Sequence, residues 1–386
     1  MTSIRKYILI IGGLLGSAFF QNAFSQTPSP DVKHLKVYHE KGKYGGWPAN
    51  NGIWIWGNEI LTGFSKAFHK DLGQSHNIDR EKTEIHVLAR SLDGGETWVV
   101  EDPGKSGNLV PEALFGTQRT DVPYVPSTEL TTAINFKHPE FALTARMAKK
   151  DKSSFWYSYD KGHHWKGPYS LPTFGTSGME ARTDYIVDGR KDAFMFLTVP
   201  KKNGKEGRVI CVKTSNGGKK WDLVSWIGEE PKGFSIMPAS VRLSAKELLV
   251  TTRDQKTPNA WISTYYSRDN GKSWESLDKA VHDAGIGNPP AMIKMKDGRI
   301  CLVYGYRSDP ESKKTSDIRA RLSSDNGRTW SDEYVFRNDG AGRDIGYPRI
   351  VQRPDGKIVA VYYFTDKETG PERYIAATIW APPARK

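Results

Sequence analysis

Short runs of alternating apolar and polar residues cover most of the chain, the period-two pattern of half-buried β-strands. The runs "ASVRL", "SAKE" and "LLVTTR" lead into "STYYSRD", and later "AMIKM", "KDGR" and "ICLVYGYR" lead into "IRARLSSD". Each series reads as strand, turn, strand, loop, strand, and each ends on a polar octet closed by tryptophan. The octets recur in phase: "SLDGGETW" (Ser91 to Trp98), "SYDKGHHW" (Ser158 to Trp165), "TSNGGKKW" (Thr214 to Trp221), "SRDNGKSW" (Ser267 to Trp274) and "SSDNGRTW" (Ser323 to Trp330). Their anchors, Asp93, Asp160, Asn216, Asp269 and Asp325, stand 67, 56, 53 and 56 residues apart, each with glycine two residues on and tryptophan five residues on. Glycine accepts positive φ and an Asp side chain bonds its own backbone two residues on, so the octets are turns. Their place in the pattern joins the third strand of each unit to the fourth. Trp98, Trp165, Trp221, Trp274 and Trp330 are expected to be buried scaffold.

A repeat of about 55 residues built from β-type sequence predicts one four-stranded sheet per repeat, the plan of a β-propeller. A second repeat marks the inner strands: "GWPAN", "YVPST", "IMPAS", "GNPPA" and "GYPRI" each set a proline ahead of a first strand, while the third unit uses "EARTDYI". Proline suits that position, where no ladder donor is needed. Six such starts predict an all-β, six-bladed β-propeller, with Trp47, Val125, Arg182, Met237, Asn288 and Tyr347 crowding its axial mouth. The last unit, "GYPRIVQRPDGKIVAVYYF" with "RYIAATIW", has no octet and lacks an outer strand, which "LKVYHE" near the N-terminus could supply. The insertion from Glu101 to Pro123 reads as a long loop, and loops of that length tend to be functional.

The start of the chain changes the expected compartment. Arg5 and Lys6, an apolar run from Tyr7 to Phe20 and small residues before Gln26 read as a signal peptide over residues 1–25, followed by one domain over 26–386. The run is shorter than the ~20 residues of a membrane span, so a periplasmic or secreted protein with no span in its mature chain is expected, and a monomer. Formal net charge is +12, of which the leader supplies two, and a basic exported protein suits an anionic partner. Cys211 and Cys301 lie in strands two units apart, too far for a bridge, and are expected as buried free thiols. His163 and His164 fall in an octet turn and read as solvent residues. No metal or other cofactor is expected, since His76 and His86 are too far apart in sequence for a local chelate. Nucleic acid is not expected as a partner, because no interleaved basic and aromatic motif stands out.

With its in-phase octets, the chain resembles the bacterial sialidase superfamily, whose Asp-box (BNR) repeats sit on a six-bladed propeller, over roughly Trp47 to Trp380. The resemblance implies an arginine clamp for the sugar carboxylate, an aspartate acid/base and a tyrosine nucleophile activated by a glutamate. "GYPRIVQRPDG" puts Tyr347 at the tyrosine and "ELLVTTR" puts Arg253 at the second arginine. Arg307 and Arg319 are the candidates for the third arginine. Gly46 stands at the first arginine's place and Met237 at the glutamate's. The acid/base position falls near Ser65, with Asp71 and Asp79 in the loop that follows.

The residues around these positions suit a sugar site: Trp47, Asn50 and Asn51 in the first unit, Glu180, Arg182 and Asp184 in the third, and Arg343, Asp344, Tyr347 and Arg349 in the last. The leading expectation is a hydrolase of a terminal anionic sugar on an acidic oligosaccharide or polysaccharide. Arg253, Arg182 and Arg307 would hold its anionic group, with Arg349, Trp47, Asn50 and Asn51 around the sugar. Tyr347 would be nucleophile or base, and Asp184 or Asp79 the proton donor. A propeller-type polysaccharide lyase, using Tyr347 with His69 or His76, is a second expectation. A propeller that binds glycan without turnover is a third, favoured by Gly46 and Met237. A base substituting for the missing glutamate is to be sought among Glu180, Asp184 and Asp344.

Overall fold

Each unit is a narrow sheet whose middle strands are buried on both faces, as in the unbroken burial of Ile300–Tyr306 and Ile358–Phe364, because the sheets stack face to face around an axis. The computed structural model describes residues 32–73, 75–147, 153–309 and 315–385; the expected leader lies outside them. Strand β1 (Val32–Tyr38) comes first. Blade I follows with β2 (Lys43–Gly46), the helical turn α1 (Pro48–Asn51), β3 (Ile53–Trp56), β4 (Glu59–Phe68), β5 (Ile85–Ser91) and β6 (Val99–Glu101). The turn α2 (Pro103–Ser106) opens the long loop into blade II, made of β7 (Ala142–Met147), β8 (Ser153–Ser158) and β9 (Lys166–Ser170). Blade III is β10 (Tyr185–Val187), β11 (Ala193–Pro200), β12 (Glu206–Thr214) and β13 (Asp222–Ile227), and blade IV is β14 (Phe234–Arg242), β15 (Leu248–Lys256), β16 (Asn259–Ser267) and β17 (Glu275–Ser276). Blade V is β18 (Ala291–Lys294), β19 (Ile300–Tyr306), β20 (Ser316–Ser323) and β21 (Tyr334–Gly340). Blade VI is β22 (Gly346–Gln352), β23 (Ile358–Phe364) and β24 (Tyr374–Trp380).

These form six sheets of antiparallel neighbours, the expected six-bladed propeller. Blade VI takes β1 as its outer strand: Val32 pairs with Trp380 and Leu35 with Ala377, so both ends of the domain share one sheet. The octets turn as their composition requires. In the first, Asp93 Oδ1 accepts from the Glu96 and Thr97 amides at 3.0 and 2.9 Å, while the Gly95 amide donates to Ser91 Oγ at 2.7 Å. Trp165 and Trp221 are buried, but Trp98, Trp274 and Trp330 keep part of their surface in solvent, which corrects the uniform burial expected of the five. Cys211 and Cys301 are buried free thiols, and His163 and His164 are exposed.

Blade II departs from the repeat. It has three strands, and Val125 is half exposed, with Thr128 bridged to Tyr169 on the outer strand β9. The proline of "YVPST" therefore marks an outer crossing, and Val125 is not at the mouth. In place of an inner strand, α1 of blade I packs against β7, where the Asn51 carbonyl accepts from Thr144 Oγ1 at 2.9 Å.

Candidate active site

The inner strands of blades IV and VI begin with a bulge. Ile236 pairs with Arg253 and Ala239 with Thr251, and likewise Gly346 pairs with Tyr363 and Arg349 with Val361, so one extra residue is inserted in each strand. At these bulges, and at the break between β2 and β3, the residue before proline takes a left-handed φ: 56° at Trp47, 52° at Met237 and 50° at Tyr347. All three side chains enter one core cluster with Tyr44 and Tyr363. Asn288 brackets the last of them: its Nδ2 donates to the Ile345 carbonyl and its Oδ1 accepts from the Tyr347 amide, both at 2.9 Å. Gly346 must lack a side chain, since a Cβ there would lie 2.3 Å from Asn288 Nδ2.

Tyr347 is the centre of the first group. Arg253 Nη1 donates to its hydroxyl at 3.3 Å, and the Arg307 guanidinium lies 5.1 Å from its ring centroid. Arg253 is itself seated over Phe234, 5.4 Å away. Arg307 is buried; its Nε donates to the Ile345 carbonyl at 2.9 Å and its Nη2 to the Tyr363 hydroxyl at 2.5 Å. Burial disfavours its charge, but Tyr363, Tyr347 and Asp344 more than offset this and hold it protonated. Arg319, the other candidate third arginine, pairs instead with Asp317 and Glu333.

The loop between β4 and β5 brings His76 to the same place. Its Nδ1 donates to Asp344 Oδ1 at 2.6 Å, and its ring meets Tyr347, Trp47 and Phe115 edge-on at 6.5, 5.2 and 5.8 Å. Asp344 also accepts from Tyr363 at 2.6 Å and pairs with Arg373 at 3.3 Å. Burial raises its pKa, yet the His76 hydrogen bond and the charges of Arg373 and Arg307 outweigh that and hold it well below the carboxylate range. Trp47, expected as an open platform, is 1% exposed and packs 4.6 Å from Phe115, so it supports the mouth wall rather than offering a free face. Phe115 belongs to the Glu101 to Pro123 insertion, which thus reaches the mouth.

A second group lies on the axis. Arg182 Nε donates to Asn50 Oδ1 at 3.1 Å, and its Nη2 pairs with Glu180 at 3.3 Å. Asn51 is fully buried; it donates to the Trp47 carbonyl at 2.9 Å and accepts from Arg146, so it braces α1 rather than facing a ligand. Arg349 Nη2 crosses the axis to the carbonyls of Ala49 and Thr183. Burial lowers its pKa to about 10, with Asp184 opposing and Arg182 adding to the shift. Arg146 is buried too, and burial and Arg349 lower it to about 9. Asp184 accepts from the Ser240 amide at 3.2 Å, and burial raises its carboxyl to about 7 against the pull of Arg349. Asp184 and Arg349 line an axial cavity of about 280 Å³.

The structure thus gathers Tyr347, Arg253 and Arg307 with Asp344, and separately Asn50, Arg182, Asp184 and Arg349. Asp79 faces Lys70 and Lys82, 3.9 Å from each. Among the described residues, no carboxylate hydrogen-bonds to the Tyr347 hydroxyl, so none of Glu180, Asp184 and Asp344 takes the missing glutamate's position. Arg146, Tyr44 and Tyr363 escaped the sequence reading. Arg146 is a single cation in the apolar run "FALTARM", the local signal that marks it.

Residues 138–360 match the BNR repeat-like domain family. No curated protein sequence matches the chain. Among solved structures, a protein of unknown function from Dyadobacter fermentans is similar at 19% identity and a TM-score of 0.66, over 91% of this chain and 99% of the other. The NanB sialidase from Streptococcus pneumoniae is similar at 12% identity and a TM-score of 0.58, over 89% of this chain and 70% of the other. An α-L-arabinanase from Penicillium chrysogenum in complex with arabinobiose is similar at 12% and 0.56, over 92% and 98%. At such identities the likeness shows the fold.

Proposed function

The chain belongs to the BNR repeat-like family, and from that membership and the geometry of the mouth we propose an exported glycoside hydrolase that acts on a terminal anionic sugar of an acidic glycan. The observation that carries the reading is the Tyr347 hydroxyl, bonded to Arg253 and set edge-on to a histidine that Asp344 holds. A phenol meets less repulsion from an anionic sugar than a carboxylate nucleophile would. Tyr347 attacks the anomeric carbon as the glycosidic bond breaks, and its hydroxyl proton passes through His76 Nε2 to the leaving oxygen. Water then attacks the anomeric carbon, one of its protons passes through His76 Nε2 to the Tyr347 oxygen as the sugar–tyrosine bond breaks, and the tyrosine is released. Asp344 fixes the imidazole with Nδ1 protonated, which leaves Nε2 for this exchange. We assign the proton transfer to His76 because its ring meets Tyr347 edge-on at 6.5 Å and Asp344 holds it there. Arg253, Arg182 and Arg349 bring positive charge to the mouth and axis, where it favours an anionic group. Asn50 orients Arg182.

One observation favours a second reading, a polysaccharide lyase. A tyrosine whose hydroxyl bonds no carboxylate among the described residues, beside a histidine, is an acid/base pair suited to elimination from a uronate. In that reaction His76 Nε2 removes the proton next to the carboxylate, the bond to the 4-oxygen breaks, and the Tyr347 hydroxyl protonates that oxygen, a proton then returning from His76 to Tyr347. Export rests on the leader, and among the described residues no helix is long and apolar enough to cross a membrane. The test is a screen of the purified mature protein against sialylated, uronate-bearing and sulfated glycans with product masses read. Products heavier by one water support the hydrolase. Unsaturated, ultraviolet-absorbing products establish the lyase, and binding without products removes both.

A further inference from the structure

Between blades III and IV, on the flank outside the mouth, the apolar packing of neighbouring sheets gives way to a cleft of about 700 Å³, within the size range of small-molecule sites. Trp226, Trp261, Tyr265 and Trp274 line it, and each keeps part of its surface in solvent. Trp261 and Tyr265 fall on the same face of β16, with Ser263 between them; Trp261 Nε1 donates to Ser263 Oγ at 3.0 Å. The Asp254 side chain, 4% exposed, forms part of the wall and accepts from Thr252 Oγ1 at 2.6 Å. Burial raises its carboxyl to about 6, so near neutrality it is still mostly the carboxylate, an acceptor for hydroxyl groups.

We propose that this cleft is a saccharide subsite, holding glycan residues beyond the sugar bound at the mouth. Three features point to sugar rather than to an ion or an apolar ligand. Several indole and phenol faces suit the flat C–H surfaces of pyranose rings, as amphipathic aromatic residues do elsewhere. Carboxyl and hydroxyl groups lie between them, the acceptors and donors that sugar hydroxyls need. The rim sets Glu229 and Glu230 against Lys232 and Lys256, so the rim itself carries no net charge to select an ion. Phe234 joins the cleft to the mouth: it lines the cleft and lies beneath the Arg253 guanidinium, which bonds Tyr347. The identification of the ligand as a glycan rests on the proposed function, but occupancy of the cleft needs no turnover.

The test is affinity electrophoresis of the full mature protein through gels containing polygalacturonate, chondroitin sulfate or arabinan. The account predicts that at least one polymer retards the wild type and Tyr347→Phe alike, and that Trp261→Ala binds it ~10-fold more weakly or worse, as loss of an aromatic anchor does. Trp261→Phe keeps a ring and should retain most of the retardation, and an unchanged melting temperature for both variants separates lost binding from lost folding. Retardation by none of the three polymers, or equal retardation of Trp261→Ala and wild type, overturns the proposal. Retardation that depends on Trp261 in a protein that turns over no glycan keeps the cleft and removes the catalytic reading.

Discussion

Trp47, Met237 and Tyr347 hold a conformation that bulky residues ahead of proline avoid, at about 1–3 kcal/mol apiece, with φ between 50° and 56°. The bulges that create it turn these side chains into a shared cluster, and at Tyr347 the strain has a dedicated brace. Replacing that brace, Asn288→Ala, leaves the Tyr347 amide and the Ile345 carbonyl without their partner. We expect a loss of roughly 1–3 kcal/mol in urea denaturation and a fall in kcat larger than any change in KM, because Tyr347 is misplaced rather than removed. Arg253 is tested differently. Arg253→Lys keeps the charge but loses the planar fork and does not replace it at a bidentate or stacked site; kcat/KM should fall by at least ~10-fold, or ~1.4 kcal/mol. An unchanged value would remove Arg253 from the site.

At the scale of elements, the octets and inner-strand prolines carried the fold, because both mark turns and strand ends whose chemistry is local. Blade II escaped because its proline has the same sequence mark as the others. The bridge from Thr128 to Tyr169 puts the "YVPST" segment outside, and α1 packs on β7 in the place it leaves. His76 was visible as a loop residue, but its partnership with Asp344 spans 268 residues and has no local trace. The axial role of Arg146 likewise depends on Asn50 and Asn51, which approach it from blade I. The octet tryptophans are ordered by burial: Trp165 and Trp221 are 2% and 5% exposed, the other three more. Trp165→Ala and Trp221→Ala should cost about 3–5 kcal/mol in chemical denaturation, and Trp98→Ala, Trp274→Ala and Trp330→Ala less. Equal losses across the five would show that burial does not set their contribution.

For the whole molecule, closure through β1 makes a rigid ring around an axis that holds charges away from water, and pH reports on it. The Asp184 carboxyl titrates near 7 in the fold, against 3.8 for an ordinary aspartate. Folding therefore takes up a proton between those values, and this contribution to stability, full below about 4, is lost as pH rises through about 7. Asp184→Asn should abolish that slope, so the gain of the variant over wild type in urea midpoint should grow from pH 4 to pH 8; a constant difference would mean that Asp184 does not titrate in this range. The charge and the mouth together make the central claim, that Tyr347 is the reacting group for an anionic glycan. The most direct measurement is mass spectrometry of products formed in heavy-oxygen water, from the glycan that the screen selects, by wild type and Tyr347→Phe under equal binding. The account predicts heavy oxygen at the anomeric carbon of the released sugar with wild type and no product with Tyr347→Phe. Turnover by Tyr347→Phe at the wild-type rate would contradict it.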